Sequence, residues 1–261
     1  MTNGTGMKAT TVDTAVLAVL SGATVHGNAV RLNGQLERKL YGRTDRVLKA
    51  IGGTWKRGEA AHVFAQDPTD LLEQIILTGA VAAAPSLSFF PTPQPLVARM
   101  LELVQPGPGM RVLEPSAGRG ALALAAAQRG ALVDCVELDP AHADYLRTQL
   151  WRERVRQADF LSVQPERIYD AVLMNPPFER QADIRHVLHA LEFLKPGGRL
   201  AAVMSAGVLF RQTGLAEQFR DLLEVRGAQV WENPPGTFRS AGTSVLSVVV
   251  YVPPLGETQT A

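Results

Sequence analysis

The sequence predicts an α/β fold in which a doubly wound, mostly parallel sheet follows a small N-terminal α+β module. From Pro95 onward, short apolar runs alternate with segments of helical length, as they do in doubly wound sheets. Most of these runs are almost continuously apolar, which is typical of strands buried on both faces. The length of 261 residues exceeds one average domain but accommodates one α/β domain with an accessory module.

Composition narrows the class of protein without identifying a partner. The formal net charge is +1 and 46% of the residues are hydrophobic, which is typical of a soluble globular protein and favours neither disorder nor nucleic-acid binding. Cys135 is the only cysteine, so no internal disulfide can form, and a cytoplasmic location is expected. The apolar run after Asp13 is too short for a membrane span and is a poor secretory signal.

We expect four segments along the chain: a flexible lead-in (1–22), a basic N-terminal module (23–85), the α/β domain (86–255) and a short tail (256–261). In the module, Gly52 and Gly53 terminate the first helix, and Asp67 caps the second. A helix followed by a small hairpin is winged-helix-like, and Ala80–Pro85 is typical of a linker. The predicted order is strand, helix, two strands and helix, over Val25–Leu32, Leu36–Ile51, Thr54–Arg57, His62–Phe64 and Asp67–Thr78.

The α/β domain is predicted from its apolar runs and the helical segments between them. The runs that we interpret as strands are Arg111–Glu114, Leu132–Val136, Asp170–Met174, Leu200–Met204, Ala228–Trp231 and Val245–Val252. The helical segments that separate the earlier strands are Ala121–Arg129, Ala141–Leu150 and Ile184–Leu194.

A glycine-containing turn after the first of these strands predicts a ligand site. Glu114 ends the strand, and Gly118 and Gly120 lie in the turn before the next helix, where ligands collect in doubly wound sheets. Ala123 fits a relaxed dinucleotide fingerprint, so the turn alone leaves a nicotinamide or flavin cofactor open. The carboxylate of Glu114 would repel a pyrophosphate but attract an amine-bearing ligand. That favours a cofactor without phosphates.

Two further acidic positions indicate a nucleoside ligand. Glu137 ends the next strand, where its carboxylate can accept hydrogen bonds from a ribose diol. We interpret the neighbouring Asp139 as the cap of the following helix, with Pro140 in its first position. Asp159 and Phe160 can hydrogen-bond an exocyclic amine and cover an adenine base, although a turn residue with a core phenylalanine is the alternative.

The segment from Asn175 to Phe178 is the most informative in the chain. It follows a buried apolar strand, and its two prolines fix the backbone. An aromatic amine is a poor nucleophile because its lone pair is delocalised into the ring. The Asn175 side-chain oxygen and the Pro176 carbonyl can accept hydrogen bonds from both of its N–H groups and orient the lone pair toward a methyl donor. Phe178 can stack on the base that carries the amine.

Together these motifs, over roughly Phe89 to Tyr251, resemble the amino-methyltransferases of nucleic acids, and the DNA adenine-N6 methyltransferases most closely. The resemblance implies a seven-stranded methyltransferase sheet, S-adenosylmethionine as cofactor, and double-stranded DNA as partner, with transfer to the N6 amine of a flipped adenine. It also implies that Asn175, Pro176, Pro177 and Phe178 are catalytic. The implied cofactor-binding residues are Phe90, Thr92, Pro93, Glu114, Ala117, Gly118, Gly120, Glu137, Leu138, Asp159, Phe160 and Asn175.

Two other segments narrow the resemblance to phage- and plasmid-type enzymes. The module from Leu36 to Phe64 resembles the one that precedes their catalytic part, and Gly236–Thr243 resembles a late loop near the target base. Phe238 or Arg239 would supply a second base contact there. One departure matters: no long target-recognition domain follows the catalytic motifs. Recognition would then come from the N-terminal module, from inserted loops or from a second subunit, and a homodimer would satisfy the last case.

Local charge supports a nucleic-acid partner where the overall charge does not. Between Arg31 and Arg57, eight basic residues stand against two acidic ones, a net charge of +6. Tyr41 and Trp55 are available for stacking, although packing in a small core is the favoured interpretation. The residues predicted to bind DNA are Arg38, Lys39, Arg43, Arg46, Lys56, Arg57, Phe238 and Arg239.

Several alternatives stay open. An RNA or protein-glutamine methyltransferase uses an Asn-Pro-Pro-aromatic site on a similar fold. A nicotinamide oxidoreductase leaves the segment from Asn175 to Phe178 unexplained. A catalytically idle DNA-binding protein keeps the fold for cofactor sensing, but the intact Asn175 and Gly118 argue against it. No metal site is expected, because His186 and His189 share one predicted helix without a convincing partner ligand.

Overall fold

The computed structural model describes residues 10–81, 90–151 and 154–254, and the chain divides into two compact units. The first comprises Met1–Ser86 and Gly207–Glu217, and the second comprises Leu87–Ala206 and Gln218–Ala261. Most of the expected linker Ala80–Pro85 and all of the tail 256–261 lie outside the described residues.

The first unit is a small α+β module, as the sequence predicts. Its elements in residues 10–81 are β1 (Thr10–Thr11), α1 (Thr14–Ser21), β2 (Thr24–His26), β3 (Ala29–Arg31), α2 (Arg38–Ala50), β4 (Thr54–Lys56), β5 (Ala61–Val63), α3 (Thr69–Thr78) and β6 (Ala80–Val81). A four-stranded antiparallel sheet has the order β2-β3-β5-β4, and β1 pairs separately with β6. The helices α1, α2 and α3 pack on a shared core that includes Leu17, Leu48 and Ile75.

Two N-terminal expectations are wrong. The segment Val25–Leu32 is a hairpin rather than one strand, because Gly27 adopts a left-handed φ of 57° and turns the chain between β2 and β3. Residues expected in a flexible lead-in instead form α1, whose apolar side chains, including Leu17 and Leu20, are buried. Asp13 caps this helix by accepting a hydrogen bond from the main chain of Val16, so a local signal for the helix start was present.

The glycine pair that ends α2 is required by packing. Gly52 has a φ of 96°, which an L side chain rarely adopts. The amide of Gly53 donates to the Leu48 carbonyl, and a Cβ atom on Gly53 would lie 2.7 Å from the ring of Phe64. The predicted helix stop is confirmed, and the hairpin of β4 and β5 follows it directly.

The second unit carries the predicted seven-stranded, mostly parallel sheet. The elements from residue 90 onward are α4 (Gln94–Val104), β7 (Arg111–Glu114), α5 (Ala121–Gln128), β8 (Leu132–Glu137), α6 (Pro140–Gln149), β9 (Val155–Gln157), β10 (Tyr169–Met174), α7 (Ala182–Leu191), β11 (Leu194–Ser205), α8 (Gly207–Phe210), α9 (Gly214–Val225), β12 (Gln229–Glu232) and β13 (Ser247–Val252). Of these, α8 and the start of α9 belong to the first unit. The strand order of the sheet is β12-β13-β11-β10-β7-β8-β9, in which β13 is antiparallel to both of its neighbours.

The order of the strands along the sheet reverses between β7 and β10. These strands pair in parallel, with Leu113 opposite Val172, while β8 continues on one side and β11 on the other. The loops that follow β7 and β10 therefore leave the same edge of the sheet side by side, at the switch point where doubly wound folds bind ligands. None of the described helices is both long and apolar enough to cross a bilayer.

Candidate active site

Asn175 lies in the loop after β10, and two residues that precede Gln94–Val104 hold its side chain in one orientation. Its Nδ2 atom donates to the Phe90 carbonyl at 3.2 Å and to the Thr92 hydroxyl oxygen at 3.1 Å. A main-chain carbonyl can only accept, so the nitrogen of the amide must face Phe90. Oδ1 is buried without a hydrogen-bond partner among the described residues. An unsatisfied buried acceptor is costly, and here it is the atom that the sequence assigns to the substrate amine.

The ring of Phe178 packs against the ring of Phe238. The two ring centroids are 6.3 Å apart and the planes meet at 89°, an edge-to-face contact. Phe238 is fully buried, so it offers no face to a base in this structure, contrary to the expected contact. The neighbouring Arg239 is exposed. The late loop therefore divides into a packing residue and an exposed basic one.

The loop after β7 is fastened by the carboxylate of Glu137. Its Oε2 atom accepts from the Gly118 amide at 2.5 Å, and its Oε1 atom accepts from the Asp139 amide at 2.8 Å. The Ala117 amide donates to the Val136 carbonyl at 3.1 Å. Each carboxylate oxygen can accept a second hydrogen bond, so Glu137 shapes the loop and retains capacity for a diol.

Gly120 is needed for helix packing as well as for the turn. It has a φ of 80°, and a Cβ atom there would lie 2.6 Å from a methyl carbon of Leu146 on α6. The close approach brings the start of α5 against α6. This role differs from the cofactor contact that the resemblance implies for Gly120.

Glu114 is directed into the protein. It is buried, and its Oε2 atom accepts from the Ala123 amide at 2.6 Å in the first turn of α5. Burial raises the pKa of Glu114 well above its ordinary value, and the nearby carboxylate of Glu137 acts in the same direction. The side chain therefore ties β7 to α5, and the expected electrostatic attraction of a ligand amine to an ionised Glu114 is weakened.

Asp139 and Asp159 both act as local caps. Asp139 accepts from the His142 amide at 2.9 Å, with Pro140 in the first turn of α6, which confirms the cap predicted for it. Asp159 accepts from the Leu161 amide at 3.0 Å. Phe160 is buried against His186, His189 and Phe193, so the structure places its ring in the core rather than at the surface.

Two exposed leucines lie beside these acidic residues. Leu138 follows Glu137 and Leu161 follows Phe160, and both are large hydrophobic side chains left open to solvent. Each offers apolar surface at the carboxyl edge of the sheet. Leu138 was expected from the resemblance, whereas Leu161 was missed, because an isolated exposed leucine has no signature in the sequence.

The sequence also missed a contact between the glycine turn and α7. Ser116 Oγ lies 3.2 Å from Nδ1 of His186. Burial lowers the pKa of His186 to about 4, so its ring is neutral near pH 7. His189 donates through Nε2 to the Val163 carbonyl at 2.9 Å. Both histidines thus have packing and hydrogen-bonding roles, and no cluster of three or more potential metal ligands occurs among the described residues.

The remaining predicted residues lie just before α4 and on the surface of the first unit. Thr92 is buried through its contact with Asn175, and Pro93 precedes α4. The basic residues predicted to bind DNA in the first unit are all exposed: Arg38, Lys39, Arg43 and Arg46 on α2, Lys56 on β4, and Arg57 just after it. Arg43 is paired with Asp13 at 3.3 Å.

Comparison with known proteins gives a family match and a partial relative. Residues 96–231, just over half of the chain, match the family described as methyltransferase small domain. The tRNA1(Val) (adenine(37)-N6)-methyltransferase of Aliivibrio fischeri strain ES114 is 40% identical over 76 residues, which cover 26% of this chain and 32% of the relative. The match thus spans about a third of the curated relative's length.

Solved structures share the fold at low sequence identity. The EcoKI M protein of a type I restriction enzyme aligns with a TM-score of 0.56 and 18% identity, covering 91% of this chain and 56% of that protein. A modification subunit of a putative type I restriction enzyme from Vibrio vulnificus YJ016 aligns with a TM-score of 0.54 and 16% identity, covering 84% and 50%. At these identities the likeness concerns the fold alone.

Proposed function

Since the chain belongs to the methyltransferase small domain family, we propose that it transfers a methyl group to the exocyclic N6 amine of adenine in DNA. S-adenosylmethionine is the cofactor of this family. The observation that carries the proposal is the buried, unpartnered Oδ1 of Asn175, which follows β10 and lies three residues before an aromatic ring. A fixed acceptor of this kind suits an amine that has two N–H groups to donate.

Several residues of the site have the hydrogen-bonding capacity and the exposed apolar surface that this cofactor needs. Glu137 lies at the end of β8, with both carboxylate oxygens held by main-chain amides and lone pairs remaining for a ribose diol. Gly118 has a φ of 52°, so its loop has the backbone freedom that close approach to a ligand needs. Leu138 and Leu161 offer apolar surface for a base. Asp159 retains lone pairs beyond its cap.

The chemistry depends on how the chain positions an amine. When bound, S-adenosylmethionine supplies an electrophilic methyl group on a sulfonium centre. Asn175 Oδ1 accepts one N6–H group, and the Pro176 carbonyl accepts the other, which favours the tetrahedral amine and directs its lone pair. Phe90 and Thr92 prevent the Asn175 amide from turning its nitrogen toward the substrate. Phe178 stacks on the flipped base, with Phe238 fixing its ring.

Adenine is favoured over other acceptors by the Asn form of the motif and by the partial relative, whose name specifies adenine-N6 transfer. DNA is favoured by the basic residues of the first unit and by the resemblance to phage- and plasmid-type enzymes. The described part of the chain gives no support for a homodimer.

RNA is the second candidate acceptor, because the partial relative acts on a tRNA according to its name. The two acceptors present the same adenine edge, so the loop from Asn175 to Phe178 suits both. They differ in backbone and shape, which the first unit would read.

The decisive experiment is methyl transfer from labelled S-adenosylmethionine to duplex DNA, to tRNA and to a protein extract in parallel, with nucleoside analysis of the labelled product. Asn175→Ala serves as the inactive control. N6-methyladenine in DNA is the expected product. Label confined to RNA would replace DNA by the second candidate, and label confined to protein would overturn the assignment of a nucleic-acid acceptor.

A further inference from the structure

Two aromatic side chains of the first unit are exposed beside each other. Trp55 on β4 is 40% exposed and Tyr41 on α2 is 36% exposed. Their ring centroids are 6.4 Å apart and their planes meet at 87°. We call them the aromatic pair. The sequence favoured packing in a small core for both, but the structure leaves more than a third of each side chain in solvent.

The ring of Trp55 packs against His62 of the neighbouring strand. His62 lies directly opposite it on β5, is fully buried, and has its ring centroid 5.1 Å from that of Trp55. The Nε2 atom of His62 donates to Asp45 at 2.9 Å, and Lys49 donates to the same carboxylate at 2.8 Å. Burial acts to raise the pKa of Asp45, but these hydrogen bonds lower it overall. The exposed tryptophan is thus preorganised by the buried His62, which is itself fixed by its hydrogen bond to Asp45.

Three basic residues lie close to the aromatic pair along the chain. Asp45 is the only acidic residue of α2, and it is already paired with Lys49 and His62. Arg38 lies one turn before Tyr41 on the same helix, and Lys56 and Arg57 follow Trp55. None of these three basic side chains has an ion-pair partner within the described ranges. β4 lies at the edge of its sheet, and its three residues are all exposed.

We propose that the aromatic pair stacks on an unpaired base of the nucleic-acid substrate, while Arg38 and Arg57 contact the phosphates of the same strand. The inference rests on the proposed function in taking nucleic acid as the substrate, and it adds that the substrate presents an unstacked nucleotide to the first unit. Phosphate contacts alone would suit an intact duplex, but they would leave an exposed, preorganised tryptophan without a role.

The test is the affinity of the full-length protein for labelled nucleic acids, measured by fluorescence anisotropy at several salt concentrations. The probes are a DNA and an RNA strand of about 12 nucleotides with the same adenine-containing sequence, and the blunt DNA duplex. We expect the single strands to bind more tightly than the duplex. Trp55→Leu should lower single-strand affinity about 10-fold with the salt dependence unchanged, because a stacking contact releases no counterions.

Matched variants separate stacking from folding and from charge. Trp55→Tyr keeps a ring and should retain most of the affinity, and Trp151→Ala, which removes an exposed tryptophan of the second unit, should bind like the wild type. Arg38→Gln should lower both the affinity and the salt dependence. Thermal unfolding verifies that each variant is folded.

Wild-type affinity of folded Trp55→Leu for single strands, or preferential binding of the duplex, would overturn the stacking site. Either result would leave the proposed function standing if adenine in nucleic acid is still methylated. Conversely, methylation of protein alone would remove the proposed function whatever the strands bind. The DNA and RNA probes distinguish which acceptor supplies the unpaired base.

Discussion

Asn175 donates its side-chain Nδ2 hydrogens to the carbonyl of Phe90 and to the hydroxyl of Thr92, and this pairing decides which end of the amide faces the site. Phe90 and Thr92 were expected to contact the cofactor. They lie 85 and 83 residues before Asn175 in the chain, and the fold brings them next to the motif. The segment before α4 therefore orients the side chain that we propose as the acceptor of the substrate amine.

Thr92→Val tests this positioning role. Valine has nearly the same shape but cannot accept the Asn175 hydrogen bond, so the amide is less firmly oriented. We expect kcat to fall about 10-fold, the equivalent of one neutral hydrogen bond, with little change in KM for S-adenosylmethionine. Thr92→Ser keeps the acceptor and should restore most of the rate. An unchanged kcat in folded Thr92→Val would show that Phe90 alone suffices.

Substitution of Asn175 should lower the rate of methyl transfer, whereas substitution of Glu137 should lower the affinity for the cofactor. Asn175→Ala removes the amine acceptor and should lower kcat by at least about 100-fold, while binding of S-adenosylhomocysteine measured by calorimetry stays close to wild type. Glu137→Gln places an NH₂ group against the amide of Gly118 or Asp139 and weakens the diol site. Its affinity for S-adenosylhomocysteine should fall about 10- to 100-fold. Equal loss of cofactor binding in both variants contradicts this division.

Substitutions at Phe238 and Arg239 distinguish an effect on packing from an effect on substrate binding. Phe238→Leu removes the edge that supports Phe178, so we expect a lower kcat and a less stable protein, with a loss on the order of 1 to 2 kcal/mol in the free energy of unfolding. Arg239→Gln leaves the core intact and should instead raise KM for nucleic acid. A rise in KM alone for Phe238→Leu would restore the base contact that the sequence suggested.

The sequence predicted most of the second unit because its signals are local. Continuous apolar runs predicted five of the buried strands within one or two residues, and Arg111–Glu114 matches β7 fully. The run Leu200–Met204 covers only the second half of β11, which begins at Leu194. The edge strand β9 was missed, since three residues are too few to establish a pattern. The hairpin at Gly27 was missed because strand-like residues flank a turn of only two residues.

The side-chain directions in the site were less predictable. Glu114, Glu137 and Asp159 were assigned to the cofactor by their places at strand ends and turns, yet each accepts a hydrogen bond from the main chain. Strand ends are also where helix starts and loops need acceptors, so the same pattern serves both purposes. Only long-range packing, which spacing does not encode, tells them apart.

Gly120→Ala should be destabilising for two separable reasons. A left-handed φ costs an L residue about 1 to 2 kcal/mol, and the added methyl group would meet Leu146. Combining Gly120→Ala with Leu146→Ala removes the steric part and leaves the backbone part. Chemical denaturation of the four proteins in this cycle should give a double variant that is more stable than the sum of the single effects predicts. Strict additivity would mean that the loop relaxes without touching α6.

The stability of the protein should depend on pH through His186. Burial holds its pKa at about 4, below the ordinary 6.5, with Asp159 opposing the shift and His189 and Arg185 adding to it. The unfolded chain therefore binds a proton at this position between those two pH values, and the folded chain does not. The contribution of His186 to the free energy of unfolding is fully present above about pH 6.5 and is lost as the pH falls toward 4.

Urea unfolding of the wild type and of His186→Gln across pH 4.5 to 7 measures this contribution, since the glutamine variant cannot titrate there. We expect the difference in unfolding free energy between the two proteins to change by up to about 1.4 kcal/mol per pH unit inside the window. His26→Gln, at an exposed position of β2, should keep the pH dependence of the wild type. If His186→Gln also keeps it, the buried ring takes up its proton in the folded state, and the contact with Ser116 tolerates a charge beside the glycine turn.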